Sequence, residues 1–380
     1  MPQKLNITVA GAGKGGPSMV AHLVSMGFSV KLYELPEFEH KLKPFIQRGG
    51  IECDGEVKGF FTPAAMTTDA EEAAADADIV MVAAMAMGHE AIVRNLLPHA
   101  KDGSLVAFNT GYYACLRFYP KFRRLSKRVI LAETDILPYL CLRTGPHSVR
   151  IDGIKKEVGV AALPASDTPA ALKLLRKTKL LRFFPRKHSL EVSLSSMNLL
   201  FHAPIVLFNM AASENTKGDY VFYRDGVSPG IGRIIHAMDA ERIAIGRKLG
   251  VRLLHCVAAT KRYYADYHVT GDTIDECLRT NLAYAKDVFP MPSIRDFAVF
   301  RQDLAYGLPP IVELGRLLNV PTPTFRMIVD IANLACQTDY MREGLTLRKL
   351  GIAGMTASTL LRYLRTGETA SRRTKGMTSC

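Results

Sequence analysis

The sequence has no CxxC pair. Its seven cysteines, at 53, 115, 141, 256, 277, 336 and 380, are scattered and odd in number. That argues against a disulfide scaffold and for a reducing compartment. HExxH and Walker lysine motifs are also missing, which removes the corresponding metalloprotease and P-loop readings. The adjacent His255 and Cys256 have no further ligand at tight spacing, so no metal site is expected. Long apolar runs are lacking too. The most apolar stretch, residues 77–87, is too short to span a membrane and suits a buried strand. The opening MPQKLNITVAGAG has too short an apolar stretch for a signal peptide. The expectation is a cytoplasmic protein without a membrane partner.

Acidic charge is in the minority. There are 36 Asp plus Glu against 49 Lys plus Arg, a formal net charge of +13. The excess is spread along the chain, and its clusters at 117–128, 176–187 and 372–375 do not alternate with aromatics. No nucleic-acid partner is therefore expected; most of the charge is solvated surface, and a few cations serve anionic ligands.

What is present is ample apolar content, 48% of 380 residues, enough for two domains. Up to about residue 187, strand-like and helix-like segments alternate. Residues 5–10, 29–35, 79–84, 104–109 and 128–133 read as strands, 49–61 as a small hairpin, and 152–165 as containing further strands. Residues 17–26, 37–47, 69–75, 90–97 and 169–175 read as helices. Helical patterns dominate afterwards, at 197–210, 230–249, 273–285, 307–318 and 324–336. The expected class is α/β: a Rossmann-type domain over 1–187, a mainly helical domain over 188–366, and a flexible tail over 367–380.

The first strand runs into GAGKGG, which supplies Gly11, Gly13 and Gly16 in the GxGxxG arrangement, with Lys14 and Gly15 between them. The first glycine permits the sharp exit from the strand, the second admits a pyrophosphate, and the third lets helix and strand pack closely. The following helix start offers free N–H groups to phosphate. Glu34 lies at the end of the second strand, 23 positions after Gly11. A carboxylate there holds the adenosine ribose hydroxyls and repels a 2′-phosphate, which favours NAD over NADP. Lys31, His40 and Lys41 nearby weaken that preference and keep NADP open. Ligands lie beyond the carboxyl ends of strands, so the loops carrying Met85 and Asn109-Thr110 are expected to reach the nicotinamide half. His89 reads as a surface residue at a helix start.

Hydride transfer also needs a proton-handling group and cations or donors for a substrate carboxylate. His202 sits in the largely apolar SLSSMNLLFHAPIVLFNM, one helical turn after Asn198. The two form a polar stripe on one helix face. That stripe suits a cleft between domains, and a buried histidine bonded to a backbone carbonyl explains His202 equally well. Asp303, in RDFAVFRQDLAYG, is a carboxylate suited to orienting a histidine. Arg295 and Arg301 are candidate carboxylate clamps. Tyr223 and Arg224 belong to a loop that can reach ligand. The helix carrying Asp239, Glu241 and Arg242 reads as structural.

These stretches together resemble the opine dehydrogenase family, whose members include octopine, nopaline and N-(1-carboxyethyl)norvaline dehydrogenases. The resemblance covers most of residues 5–350. It rests on VAGAGKGG, NLLFHAP, YRDGVSPGIGRIIHAMDAERIAIGRKLG and RQDLAYGLPPIVELGRLLNVPTPT. It implies condensation of an α-keto acid with an amino acid or amine, then NAD(P)H-dependent reduction of the imine. It also implies a proton-handling pair of His202 and Asp303, and a polar role for Asn198. The chain departs from the family pattern at Thr110, at Met85 and at Ala298, where members carry proline, proline and an arginine. Arg301 or Arg295 then takes over the carboxylate. The alternative is a related keto-acid reductase or hydroxy-acid dehydrogenase that needs no amine. A dinucleotide sensor without catalysis ranks behind both. A homodimer is expected from the apolar helical half.

Overall fold

A computed structural model describes residues 5–285 and 293–369. From residue 370 onward the expected tail lies outside the described residues. An eight-stranded sheet runs from edge to edge as Arg182–Pro185, Glu157–Ala162, Ile130–Thr134, Leu105–Phe108, Ile79–Val82, Asn6–Ala10, Ser29–Tyr33 and Ala65–Thr67. Neighbouring strands are parallel, except that Glu157–Ala162 runs antiparallel to Ile130–Thr134. The central strands read IVMV and LVAF and are buried at every residue. Such continuous apolar runs are what a sheet covered on both faces requires.

The chain leaves Asn6–Ala10 to one side, for Ser29–Tyr33 and Ala65–Thr67, then returns to its other side at Ile79–Val82. That reversal opens a crevice beyond the carboxyl ends of Asn6–Ala10 and Ile79–Val82.

A second sheet, of four strands, was only half legible. The expected hairpin forms as Ile51–Gly55 and Gly59–Phe61. Ser148–Ile154 pairs with it, and Tyr139–Arg143 pairs with Ser148–Ile154. The stretch expected to hold strands at 152–165 breaks at Lys155-Lys156 into two strands belonging to different sheets.

Strands end at Pro185, and helices follow from Ser189. Ser189–Ser195 and Asn198–Phe208 together are long and apolar enough to cross a membrane, yet almost wholly buried. They form the centre of the helical half, against the twenty-residue helix Pro229–Lys248. That helix starts at Ser228, whose Oγ accepts from the Ile231 N–H at 3.3 Å. Its buried Arg242 pairs with Asp239 and donates to the Leu194 carbonyl at 2.8 Å. Glu241 accepts from the Thr324 and Phe325 N–H groups at 2.7 and 3.1 Å, at the start of the helix Pro323–Cys336. Both acids and the arginine therefore serve architecture, as expected.

The two halves are tied by a buried polar cluster. Arg186 Nη2 donates to Asp135 Oδ2 at 2.9 Å and to Tyr263 Oη at 3.1 Å, while Tyr263 donates to Asp135 Oδ2 at 2.9 Å.

Candidate active site

A cavity of about 870 Å³ runs from the glycine turn to the helical half. At one end Gly11 has φ of 116°, a left-handed conformation that disfavours a side chain. A Cβ on Gly16 would fall 1.7 Å from the Gly11 carbonyl oxygen, so only glycine lets helix Gly15–Ser25 start against the strand. Gly16 therefore packs beneath the turn and does not line the cavity, whereas Gly11, Gly13, Lys14 and Gly15 do. Open space lies where Gly13 would carry a Cβ. Glu34 is 5% exposed and borders the same space. Its two carboxylate oxygens accept from the Ala12 and Leu35 N–H groups at 2.8 and 2.9 Å. Each oxygen keeps lone-pair capacity for a further donor. A bare-backbone turn, a helix start and a fixed carboxylate suit the pyrophosphate and ribose of a dinucleotide. Met85, Asn109 and Thr110 line the cavity farther along.

At the other end His202 projects from Asn198–Phe208. Its Nδ1 lies 2.6 Å from Asp303 Oδ2, and its Nε2 lies 2.7 Å from Tyr223 Oη. Asp303 is fully buried and also accepts from the Tyr112 hydroxyl. Asn198 Nδ2 donates to Tyr112 Oη at 3.3 Å. A carboxylate that accepts from Tyr112 also accepts from His202, so the imidazole carries hydrogen on Nδ1. Nε2 is then the ring nitrogen without hydrogen, with Tyr223 Oη beside it. Burial, followed by the field of Asp303, pushes the Tyr112 phenol well above its ordinary range, which keeps it a donor.

Asn198, Tyr223, His202 and Arg301 line the cavity. Arg301 is exposed at its rim, with Nη2 4.0 Å from Met87 Sδ. Arg295 does not line it. It sits exposed in the turn before helix Ala298–Gln302, so its candidacy as a clamp falls. His89 is likewise not a surface residue. It is fully buried against Phe108, and its Nε2 donates to the Ala84 carbonyl at 3.0 Å. Burial, then the charge of Arg117, hold it down at about 3, so it stays neutral and structural.

Several lining residues gave little signal in the sequence. Tyr112 follows the Asn109-Thr110 loop, and Gln302 precedes Asp303. Gln302 Oε1 accepts from the Ala86 N–H at 2.7 Å, which ties the Met85 loop to the acid-bearing segment. Tyr263, Tyr264, Tyr284 and Lys155 also line the cavity.

Elsewhere, three donor groups meet that spacing did not predict: Cys256 Sγ lies 3.8 Å from His236 Nδ1 and 3.6 Å from His255 Nδ1. His236 Nε2 accepts from the Ile274 N–H at 3.3 Å, so its Nδ1 carries the hydrogen that faces sulfur. The cluster is hydrogen-bonded rather than set for a cation.

Residues 185–336 match the family model for the α-helical domain of NAD/NADP octopine/nopaline dehydrogenase. Residues 6–114 match the model for the NAD-binding domain of 6-phosphogluconate dehydrogenase. An opine dehydrogenase from Arthrobacter sp. (strain 1C) is 29% identical over 361 residues, covering 94% of this chain and 98% of the relative. An octopine dehydrogenase solved with NADH and agmatine superposes with a TM-score of 0.73 at 18% identity, over 96% of this chain and 99% of that one. A yersinopine dehydrogenase with bound NADP+ gives 0.66 at 13% identity, again over 96% and 99%.

Proposed function

Because this chain belongs to the opine dehydrogenase family, we propose that it joins an α-keto acid to an amino acid or amine through an imine and reduces that imine with NAD(P)H. The observation that carries this reading is the His202–Asp303 pair, with His202 lining the same cavity as the glycine turn.

Gly11, Gly13, Lys14, Gly15 and Glu34 hold the dinucleotide, with Met85, Asn109 and Thr110 toward its nicotinamide. Glu34 makes NADH the preferred form, with NADPH accepted less well. When bound, the cofactor supplies a hydride to the former carbonyl carbon. The protein's own residues manage protons and orientation. Attack of the amine on the keto carbonyl gives a carbinolamine, and loss of water from it needs an acid. His202 takes a proton at Nε2 from the entering ammonium, which frees the amine to attack, and returns it to the departing hydroxyl; Asp303 stabilises the imidazolium while that proton is held. Tyr223 donates to Nε2 in the neutral state and accepts from it in the charged state, so it keeps the ring aimed in both. Asn198 holds Tyr112 on Asp303, and Arg301 binds the keto-acid carboxylate at the rim.

The chain works in the cytoplasm, a reading supported by six described cysteines that are buried thiols without disulfides. It forms a homodimer, supported by Met327 and Leu334, 45% and 83% exposed on helix Pro323–Cys336.

NADH and NADPH oxidation measured across a matrix of keto acids and amines tests the reaction. Oxidation that requires both partners is expected. Oxidation by keto acid alone would replace this reading with a simple keto-acid reductase.

A further inference from the structure

Two events in the proposed reaction must meet at one carbon. Water leaves it beside His202, and hydride then enters it from the nicotinamide. The proton-handling pair belongs to the helical half. Met85, Met87 and Gly88 line the cavity from a loop that follows Ile79–Val82 in the large sheet. The reaction therefore depends on how that loop is held relative to His202 and Asp303.

Ala86 is the point at which it is held. This residue is fully buried and opens the short helix Ala86–Gly88. Each of its backbone groups bonds a side chain from another part of the chain. Its N–H donates to Gln302 Oε1 at 2.7 Å, which comes from the helical half. Its carbonyl accepts from Arg117 Nη1 at 3.2 Å, which comes from helix Ala114–Phe122. The Arg117 guanidinium lies 4.9 Å from the centroid of the Tyr306 ring. Tyr306 belongs to the π-helical turn Asp303–Gly307. One residue of the loop is thus gripped from two directions, and both grips lead to the segment that carries Asp303.

Gln302 suits this task by position and by chemistry. It ends helix Ala298–Gln302, immediately before the π-helical turn that starts at Asp303. Such turns inside helices often mark functional sites. Successive helical residues point about 100° apart, so Gln302 meets the loop while Asp303 meets His202. Gln302 is 8% exposed and lines the cavity. A side-chain amide offers an acceptor and donors together. Its oxygen takes the Ala86 N–H, and its NH2 group donates to the Tyr112 hydroxyl. Tyr112 donates to Asp303, and Asp303 accepts from His202 Nδ1 at 2.6 Å. An unbroken hydrogen-bonded path therefore runs from the loop backbone to the imidazole.

Resting on the reaction proposed above, we infer that Gln302 is a positioning residue, which holds the loop at 85–88, and with it the nicotinamide, in register with His202 and Asp303. It touches neither the hydride nor the proton in transit. It sets the distance between the hydride donor and the carbon that is dehydrated beside His202.

Single-turnover stopped flow, with protein in excess over NADH and a keto acid and amine that support wild-type oxidation, tests this. Its rate constant reports folded molecules only, because loss of folded protein lowers the amplitude instead. Gln302→Met keeps the reach of the side chain and removes its acceptor and donor. The rate constant should fall by roughly 10–100-fold, the effect of a misplacement of about 1 Å. The dissociation constant for NADH, set mainly at the glycine turn, should change little. Gln302→Asn, whose amide falls one methylene short of Ala86, carries the same expectations if Gln302→Met does not fold. Amide hydrogen exchange in the protein–NADH complex reads the grip without turnover. The peptide 84–89 should exchange faster in Gln302→Met than in wild type, and Gln302→Glu, which keeps an oxygen for the Ala86 N–H, should restore its protection. Unchanged exchange in Gln302→Met overturns the grip on the loop, and an unchanged rate constant overturns the positioning role. Failure of wild type to oxidise NADH with any pair of keto acid and amine overturns the reaction instead, and exchange at 84–89 still reads the grip.

Discussion

His202 and Asp303, 101 positions apart in the chain, meet through a 2.6 Å contact between Nδ1 and Oδ2. The contact fixes the tautomer and leaves Nε2 as the nitrogen that can take up a proton, the role proposed for it. His202→Asn should lower kcat by about 10²–10⁴, the usual worth of a positioned acid–base group. The dissociation constant for NADH, read by fluorescence titration, should change little, because the glycine turn lies at the other end of the cavity. Asp303→Asn should also lower kcat, since an amide cannot stabilise the imidazolium. Turnover retained by either variant would remove the pair from the chemistry.

Glu34 does two tasks with one carboxylate. It accepts the Ala12 and Leu35 N–H groups, and in the proposed binding of the dinucleotide it presents negative charge where a 2′-phosphate would sit. Glu34→Gln removes the charge and leaves one of those N–H groups short of an acceptor. The ratio of kcat/KM for NADH over NADPH should fall by roughly tenfold, the effect of about 1.4 kcal/mol. An unchanged ratio would show that Glu34 does not discriminate.

Arg186 is the cation of a buried cluster with Asp135 and Tyr263. Arg186→Met strands the Asp135 carboxylate away from water. Removal of one partner from such a pair costs about 3–5 kcal/mol. Chemical denaturation should show that loss, and Asp135→Asn in the same chain should recover part of it. Additive losses from the two substitutions would mean that the residues are not coupled.

Glu133 is fully buried beside Ser193, whose Oγ donates to Oε1 at 3.2 Å. Burial pushes its carboxyl up to about 8, although Ser193 and backbone N–H groups pull the other way. In the unfolded chain it ionises near its ordinary 4.5. Between those values the folded state holds a proton that the unfolded state has lost. This group's contribution to stability therefore falls as pH rises from about 4.5 to about 8, by up to roughly 1.4 kcal/mol per unit, and levels off above. Glu133→Gln lacks that dependence. Urea titrations from pH 5 to 9 should show the variant gaining on wild type up to about pH 8. Parallel curves would contradict this.

The dinucleotide end was legible in the sequence because its signals are local. Gly11, Gly16 and Glu34 lie within one strand–helix–strand unit, where spacing alone dictates geometry. His202 and Asn198 were legible as a polar stripe on an apolar helix. Tyr223 was visible only as a member of an expected loop; it stands instead in the short helix Phe222–Asp225, and its contact with Nε2 depends on how that helix packs. The second sheet was half hidden because Ser148–Ile154 pairs with Ile51–Gly55 across almost a hundred residues, and Tyr139–Arg143 joins only through Ser148–Ile154. Lys155 escaped for the same reason: its burial follows from that pairing and from Tyr264, not from its neighbours in sequence. Arg295 misled because an arginine near an acid looks the same in sequence whichever way its turn faces.

Reduction with NADH deuterated at the transferable position, in the presence of a keto acid and an amino acid that together support oxidation, probes the proposed chemistry at the bond that forms. Mass spectrometry should find a secondary amine dicarboxylate with one deuterium on the former carbonyl carbon. A deuterated hydroxy acid, with the amino acid recovered unchanged, would contradict it.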